Sequence, residues 1–504
     1  MKPQPKDQPA SRELTQEQSK IIESQEQKIA IKGLAKSGKT TTAILKCIHL
    51  IREAHGASGA FPKILWIAYS ATLKANLLAH IKEELSLAFS AQRAKILLAC
   101  IEVETVSELS CKIVQDKKGD FLPQAFSVKD IQEFLLARYA LRYSIEDALL
   151  IYKKLHAYYH DTKNISETID EELDVSENEQ RLAYLYDGVL KVLEGQYNLE
   201  FALSPMACLK LASSLPLDDI YYDLVLLDEA SDCQRLSLAF FLGFQCNRRI
   251  ILGDRWAQIL PNSFNAINEN ILRSFATFEL TQPLNLCKEA CEKSNQILKK
   301  LESKQKMLSS QKDCVTKEEA STISPFAYLF TSKANMLKAI YQSAKEGKKI
   351  SVMNGFNEVF LPLFAMGYIM SDFDAQYVDI CFDAKAKSEE YLSFVDLETF
   401  IEQSSEEIKE LFALAWKWQK SERGILARIE QIREKTTQIA LKSDIIFSLV
   451  CDAKSMSFDF VHLSSDFINA KTITKPREEN IQRLRELYVA ITRGKNGFYI
   501  QQGN

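Results

Sequence analysis

Gly33-Leu34-Ala35-Lys36-Ser37-Gly38-Lys39-Thr40 is the stretch on which the reading of this 504-residue chain turns. The apolar run Ile29-Ala30-Ile31 precedes it and a helical pattern from Thr41 to Arg52 follows. Strand, glycine loop and helix in that order form a loop that holds a triphosphate. Backbone N–H groups in such a loop point inward at a helix N-terminus, where the helix dipole favours phosphate. Lys39 is expected to reach the β- and γ-phosphates, and the Thr40 hydroxyl to take a place on Mg²⁺. The chain has only 16 Gly, so this spacing is unlike an ordinary glycine turn.

The length suggests two to four domains with sizeable cores. Hydrophobic content of 46% and charged content of 26% are ordinary globular values. A formal net charge of −4 supplies no global positive field, so any nucleic-acid surface has to be a local patch. The 11 Cys contain no pair of C-x-x-C elements, and Cys287 to Cys291 is the closest spacing. They read as reduced thiols of a cytoplasmic protein, neither disulfides nor a zinc site. The longest apolar run, Val359 to Met370, contains Pro362 and is too short to span a bilayer, so no membrane partner is expected.

Residues 1–12 carry three Pro among polar residues and read as a disordered tail. A helix beginning at Leu14-Thr15-Gln16-Glu17-Gln18 leads to the phosphate loop. Short apolar runs at Ile64 to Tyr69, Ile101 to Thr105, Leu224 to Leu227 and Arg249 to Leu252 read as strands of a parallel sheet covered on both faces. The mainly helical stretch 111–216 lies between them and reads as an insertion. A second set of strands is expected at Ile350 to Met353, Val378 to Cys381, Ile445 to Val450, Phe460 to Leu463 and Phe498 to Ile500. The polar segment 303–322 reads as a linker, and the charged helical stretch 384–441 as a further insertion.

The run Tyr221-Tyr222-Asp223-Leu224-Val225-Leu226-Leu227 ends in Asp228-Glu229. Ligands of an open parallel sheet sit beyond the carboxyl ends of its strands, where these two acids emerge. Asp228 is suited to hold Mg²⁺ and Glu229 to polarise an attacking water as general base. Arg249-Ile250-Ile251-Leu252-Gly253-Asp254 repeats the strand-then-acid pattern. Near the C-terminus, Leu487 to Arg493 leads to the final strand, and Arg493 is a candidate clamp on transition-state charge.

Together these elements resemble the superfamily 1 helicases of the UvrD/Rep/PcrA group over nearly the whole chain, and in compactness the F-box DNA helicase type without its F-box. The resemblance implies an α/β fold of the P-loop NTPase kind, with two RecA-like parallel-sheet lobes and helical insertions. It places the first lobe at 13–110 plus 217–277 and a helical insertion at 111–216. The second lobe falls at 278–383 plus 442–504, with a small helical insertion at 384–441. It further implies ATP and Mg²⁺ as ligands and 3′-to-5′ movement on single-stranded or partly duplex DNA. Gln18 then reads adenine. Gly33, Ala35, Lys36, Ser37, Gly38, Lys39, Thr40 and Thr41 hold phosphate, with Gln258 near the nucleotide. Thr40 and Asp228 take the metal, while Glu229, Arg493 and Lys39 act in catalysis. Tyr69, Ser70, Thr105, Trp256 and Phe264 are the nucleic-acid candidates, and base stacking on such aromatics contributes ~1–3 kcal/mol per base.

Several motifs depart from the family pattern. Ala257 stands where a glutamine is usual, with Gln258 one residue late. Ser263-Phe264-Asn265 replaces an aromatic and an arginine, and Asn285 occupies another arginine's place. The stretch Leu449 to Ser457 keeps only the central Ala453-Lys454, and Thr105-Val106-Ser107 lacks an aromatic and a histidine. Triphosphate and metal groups are retained while groups sensing the γ-phosphate are lost, so a weakened ATPase is expected. The alternative is an ATP-binding sensor or regulatory subunit that controls a partner such as a nuclease, by analogy with Gabija-type helicase-like subunits. A GTPase is disfavoured because no Asn-Lys-x-Asp stretch occurs.

Overall fold

Strands of three to nine residues, most of them separated by helices, give the computed structural model two all-parallel sheets. The structure describes residues 14–501 apart from 59–60, 161, 163–178, 261–265, 309, 311, 316–318, 320–322, 372–404, 422, 469–472 and 474–477. The proposed tail at 1–12 and the strand expected at Val378 to Cys381 lie outside the described residues. Two compact units divide the chain: Met1–Gln258 with Asn262–Leu280, and Ile259–Pro261 with Thr281–Asn504.

The first unit holds β1 (Lys28–Gly33), β2 (Ile64–Ala68), β3 (Ile101–Thr105), β4 (Tyr221–Leu227), β5 (Gln245–Gly253) and β6 (Ala276–Leu280), in the order β3-β2-β4-β5-β1-β6. β2 is buried throughout, as expected of a strand covered on both faces. Registers Leu227↔Ile251 and Ile31↔Leu252 bring the carboxyl ends of β4, β5 and β1 level. At the end of β5 a Cβ on Gly253 would sit 3.0 Å from the Ser231 backbone nitrogen, so the absent side chain lets the turn that follows β4 pack closely against the strand end.

Four helices matter for the site. They are α1 (Gln16–Glu23), α2 (Lys39–Ser58), α3 (Ala71–Ala88) and, beyond the short α4 (Ala91–Leu98), α5 (Val106–Lys118). Ile44, Cys47, Ile48 and Ile51 of α2 pack with Ile21, Ile29, Ile31, Trp66, Leu77 and Ile81 in one core. The stretch read as an insertion is mainly helical where described: α6 (Val128–Tyr139), α7 (Ile145–His160), and the helices Glu179–Tyr197 and Pro205–Ser214. Phe126 meets Tyr152 and Phe201 edge-on, at centroid distances of 5.9 and 5.1 Å, so aromatic packing holds this bundle.

The second unit is built on β7 (Phe326–Phe330), β8 (Ile350–Val352), β9 (Ile445–Leu449), β10 (Val461–Leu463) and β11 (Phe498–Ile500), ordered β11-β10-β7-β9-β8. The described helices Glu406–Gln419 and Gly424–Lys435 lie in the stretch read as an insertion. Their Leu411, Leu414, Trp418, Ile425, Ile429 and Ile432 share one core with Phe330, Ile350 and Phe447 of the sheet. These helices are therefore part of the sheet's cover.

The cysteine reading requires a correction. Cys287 and Cys314 form a disulfide, with Cα atoms 5.1 Å apart across a sequence separation of 27. Lys288 N–H donates to the Lys312 carbonyl at 2.8 Å, so the returning loop runs beside the start of the helix Lys288–Lys300. Spacing along the chain cannot show such a return. The other described cysteines are thiols.

Candidate functional site

At the end of β1 the chain turns through Lys36 at φ 61° and Gly38 at φ 79° before α2 begins at Lys39. Left-handed residues in a short loop are a feature of backbone anion nests, and here the Ser37 N–H turns back on the Leu34 carbonyl at 3.3 Å. The Ser37 hydroxyl donates to the Leu34 carbonyl at 2.8 Å and holds the loop closed. Leu34 N–H donates to the Leu280 carbonyl at 3.0 Å, anchoring the loop on β6. Lys39 Nζ donates to the carbonyls of Gly33 and Leu34 at 3.0 and 3.1 Å, so its ammonium lies over the loop. Gly33 leaves room for that stem: a Cβ there would lie 2.3 Å from Lys39 Cγ.

The Thr40 hydroxyl donates to Asp228 Oδ2 at 3.1 Å, across a separation of 188 positions. Asp228 Oδ1 accepts the Glu229 N–H at 2.8 Å. Asp228 is 1% exposed. Burial, and then the neighbouring Glu229 charge, push its carboxyl up to about 7. Glu229 adopts φ 49°, a left-handed conformation that costs a non-glycine residue about 1–2 kcal/mol and is concentrated at functional turns. Thr40 and Asp228 thus present hard oxygens side by side, a donor pair suited to Mg²⁺, which takes few protein ligands and completes its shell with phosphate and water. Among the described residues no group of three or more His, Cys, Asp or Glu is arranged to hold a metal. Sites requiring such clusters are a different class.

Gln18 lies in α1 and is 2% exposed. Its Oε1 accepts the Thr15 N–H at 3.1 Å in a capping box, and its Nε2 donates to Thr42 Oγ1 at 3.2 Å. Thr42 in turn donates to the Gly38 carbonyl at 2.8 Å. Thr41 Oγ1 lies 3.3 Å from His80 Nε2 on α3. Ala35 and Lys36 lie in the loop between β1 and α2, and Gln258 follows the short turn Arg255–Ala257 at φ −72° and ψ 102°.

The nucleic-acid candidates are largely engaged locally. Ser70 caps α3 by accepting the Leu73 N–H, and Thr105 caps α5 by accepting the Glu108 N–H. Lys74, the nearest cation on α3, is paired with Glu104 at 2.7 Å and Glu108 at 3.0 Å. Burial raises the Tyr69 phenol to about 12, with a contribution from Cys233, so it stays neutral. The Arg255 guanidinium lies 4.7 Å from the Trp256 ring centroid. Phe264 is outside the described residues.

Arg493 belongs to the second unit and is 7% exposed. Its guanidinium donates to the carbonyls of Val489, Lys454 and Met456 and to Thr492 Oγ1. It therefore fastens the turn around Ala453-Lys454 to the end of the helix Glu478–Ile491.

Sequence reasoning missed Thr42, Lys46 and His80, which tie α2 to α1 and α3. It also missed Gln234, whose Nε2 lies 3.3 Å from His160 Nδ1 and links the segment after the paired acids to the end of α7. A lysine inside the apolar stripe of α2 was the one available signal. No family model matches the chain, and no curated protein matches it in sequence.

Proposed function

We propose that the first unit binds Mg·ATP at the loop between β1 and α2, and that the chain is an ATP-dependent, superfamily 1-like DNA helicase or translocase acting on single-stranded DNA with a weakened ATPase. The observation that carries this reading is the Thr40–Asp228 hydrogen bond, which joins the phosphate loop to the strand-end acids. The level carboxyl ends of β1, β4 and β5 support a RecA-like arrangement of the sheet.

In this reading Lys39 leaves the Gly33 and Leu34 carbonyls for the β- and γ-phosphates, and backbone N–H groups of the loop hold the remaining oxygens. Thr40 and Asp228 would hold Mg²⁺, which would supply neutralisation of phosphoryl charge. Asp228 gives up its proton for that role, and Glu229 accepts the proton of the attacking water.

A second reading has support from Arg493. With that guanidinium engaged by four groups of its own unit, and Asn285 in an arginine's place, a regulatory subunit that closes on ATP without rapid turnover fits as well. Steady-state ATP turnover of the full chain, with and without single-stranded oligonucleotide, separates the two. The helicase reading expects turnover that DNA stimulates and that Glu229→Gln abolishes while ATP binding persists. ATP binding with no DNA stimulation would leave the regulatory reading. Absence of ATP binding would remove both.

A further inference from the structure

Lys46 is a charged side chain with no exposed surface, set among Ala43, Ile44, Cys47 and Ile48 of α2. An apolar residue would pack there without the desolvation cost that a buried ammonium carries. Its Nζ donates to the Ile22 carbonyl at 2.7 Å and to the Ser24 carbonyl at 2.5 Å, both at the C-terminal end of α1. The last carbonyls of a helix have no partner within it, and a cation there also complements the dipole. One turn earlier on the same face of α2, Thr42 takes the Gln18 Nε2 hydrogen and passes its own to the Gly38 carbonyl of the loop. Gln18 and Ile22 are likewise one turn apart on α1. The two helices are thus joined by two polar rungs, Gln18–Thr42 and Ile22/Ser24–Lys46.

An eight-residue helix is too short to hold its shape alone. The Thr15–Gln18 capping box fixes its beginning, and Lys46 fixes its end. We propose that Lys46 is a positioning residue for nucleotide recognition: it locks α1 to the phosphate-loop helix so that the Gln18 side chain is held at a fixed place relative to the triphosphate. This rests on the proposal that the loop takes ATP. Burial holds the Lys46 ammonium down to about 8, with the nearby Arg248 adding to the effect. Its protonated and neutral forms both donate to a carbonyl, so the lock survives across neutral pH.

The test is a double-mutant cycle on the full chain, titrating Mg·ATP and, separately, magnesium with inorganic tripolyphosphate in a calorimeter. Lys46→Met is expected to weaken ATP about tenfold and tripolyphosphate less than about twofold. Gln18→Ala should show the same selective loss, and the double variant no further loss, because both act through one element. Equal weakening of ATP and tripolyphosphate by Lys46→Met, or additive losses in the double variant, would overturn the proposal. Should Lys46→Met not fold, Lys46→Gln, which keeps an amide donor on a shorter stem, goes through the same cycle with the same criteria. A wild-type chain that binds tripolyphosphate as well as ATP would also overturn it, while leaving the phosphate loop intact. Failure to bind either ligand would instead overturn the ATP reading itself.

Discussion

Replacing Asp228 by Asn should stabilise the ligand-free protein, and the gain should grow as pH rises from near 3.8 to about 7. The buried carboxyl accepts one hydrogen bond on each oxygen, from Glu229 N–H and from Thr40. Asn keeps both contacts, with its oxygen facing the amide N–H and its NH₂ donating to the Thr40 oxygen. What it removes is the cost of ionising a desolvated group beside Glu229. In the unfolded chain this carboxyl ionises near 3.8, while in the fold it keeps its proton up to about 7. Between those values the folded chain carries the extra proton, so wild-type stability falls as pH rises through the window and levels off above 7. At about 1.4 kcal/mol per pH unit the span sets a ceiling of about 4 kcal/mol. Coupling to Glu229 spreads part of this, and a gain of at least about 1 kcal/mol, or roughly 2–4 °C in Tm, is expected for a unit of this size. Thermal unfolding of both proteins without nucleotide or divalent metal, at pH 5 and pH 8, measures it. An Asn variant no more stable at pH 8 than wild type, or one with an equal gain at pH 5, would refute the reasoning. The same variant should lose Mg·ATP affinity, since a functional acid is held at the expense of stability.

Two further outcomes follow from geometry elsewhere. Gly33→Ala places a Cβ 2.3 Å from Lys39 Cγ and 2.8 Å from Ser37 Oγ, so both the lysine stem and the loop closure must move; tripolyphosphate affinity should drop at least about tenfold by calorimetry. In the second unit, His462 stacks on Phe326 at 4.1 Å beside Phe460 and Tyr499, and burial pushes its imidazole down to about 4. The unfolded chain takes up that proton near 6.5 while the fold refuses it until about 4, so His462 lowers stability as pH falls between them, by at most about 1.4 kcal/mol per pH unit. His462→Phe should flatten this part of the acid-unfolding curve, and an unchanged slope would count against the half-buried neutral imidazole.

The sequence by itself determined the elements whose signal is local. The β1–loop–α2 unit was legible because glycine, lysine and threonine must stand at set offsets where a strand becomes a helix, and β4 because a long buried run ends abruptly in two acids. β3 and β11 were placed to the residue for local reasons too: Ile101, Val103 and Thr105 alternate with two glutamates as in a half-buried strand, and Phe498–Ile500 is an apolar triplet between Gly497 and Gln501. β6 and β7 were not seen. Ala276–Leu280 alternates half-buried with exposed positions at the sheet edge, and Phe326–Phe330 is a five-residue apolar run that periodicity cannot tell from helix. Only the tertiary structure paired Cys287 with Cys314, turned the hydroxyls of Ser70 and Thr105 into helix caps, and engaged Arg493 with carbonyls of its own unit. It also decided that Lys46 faces the end of α1. Hydrogen bonds to backbone carbonyls carry no residue code, because every residue offers the same oxygen, so a side chain that acts through them leaves no partner to find in the sequence.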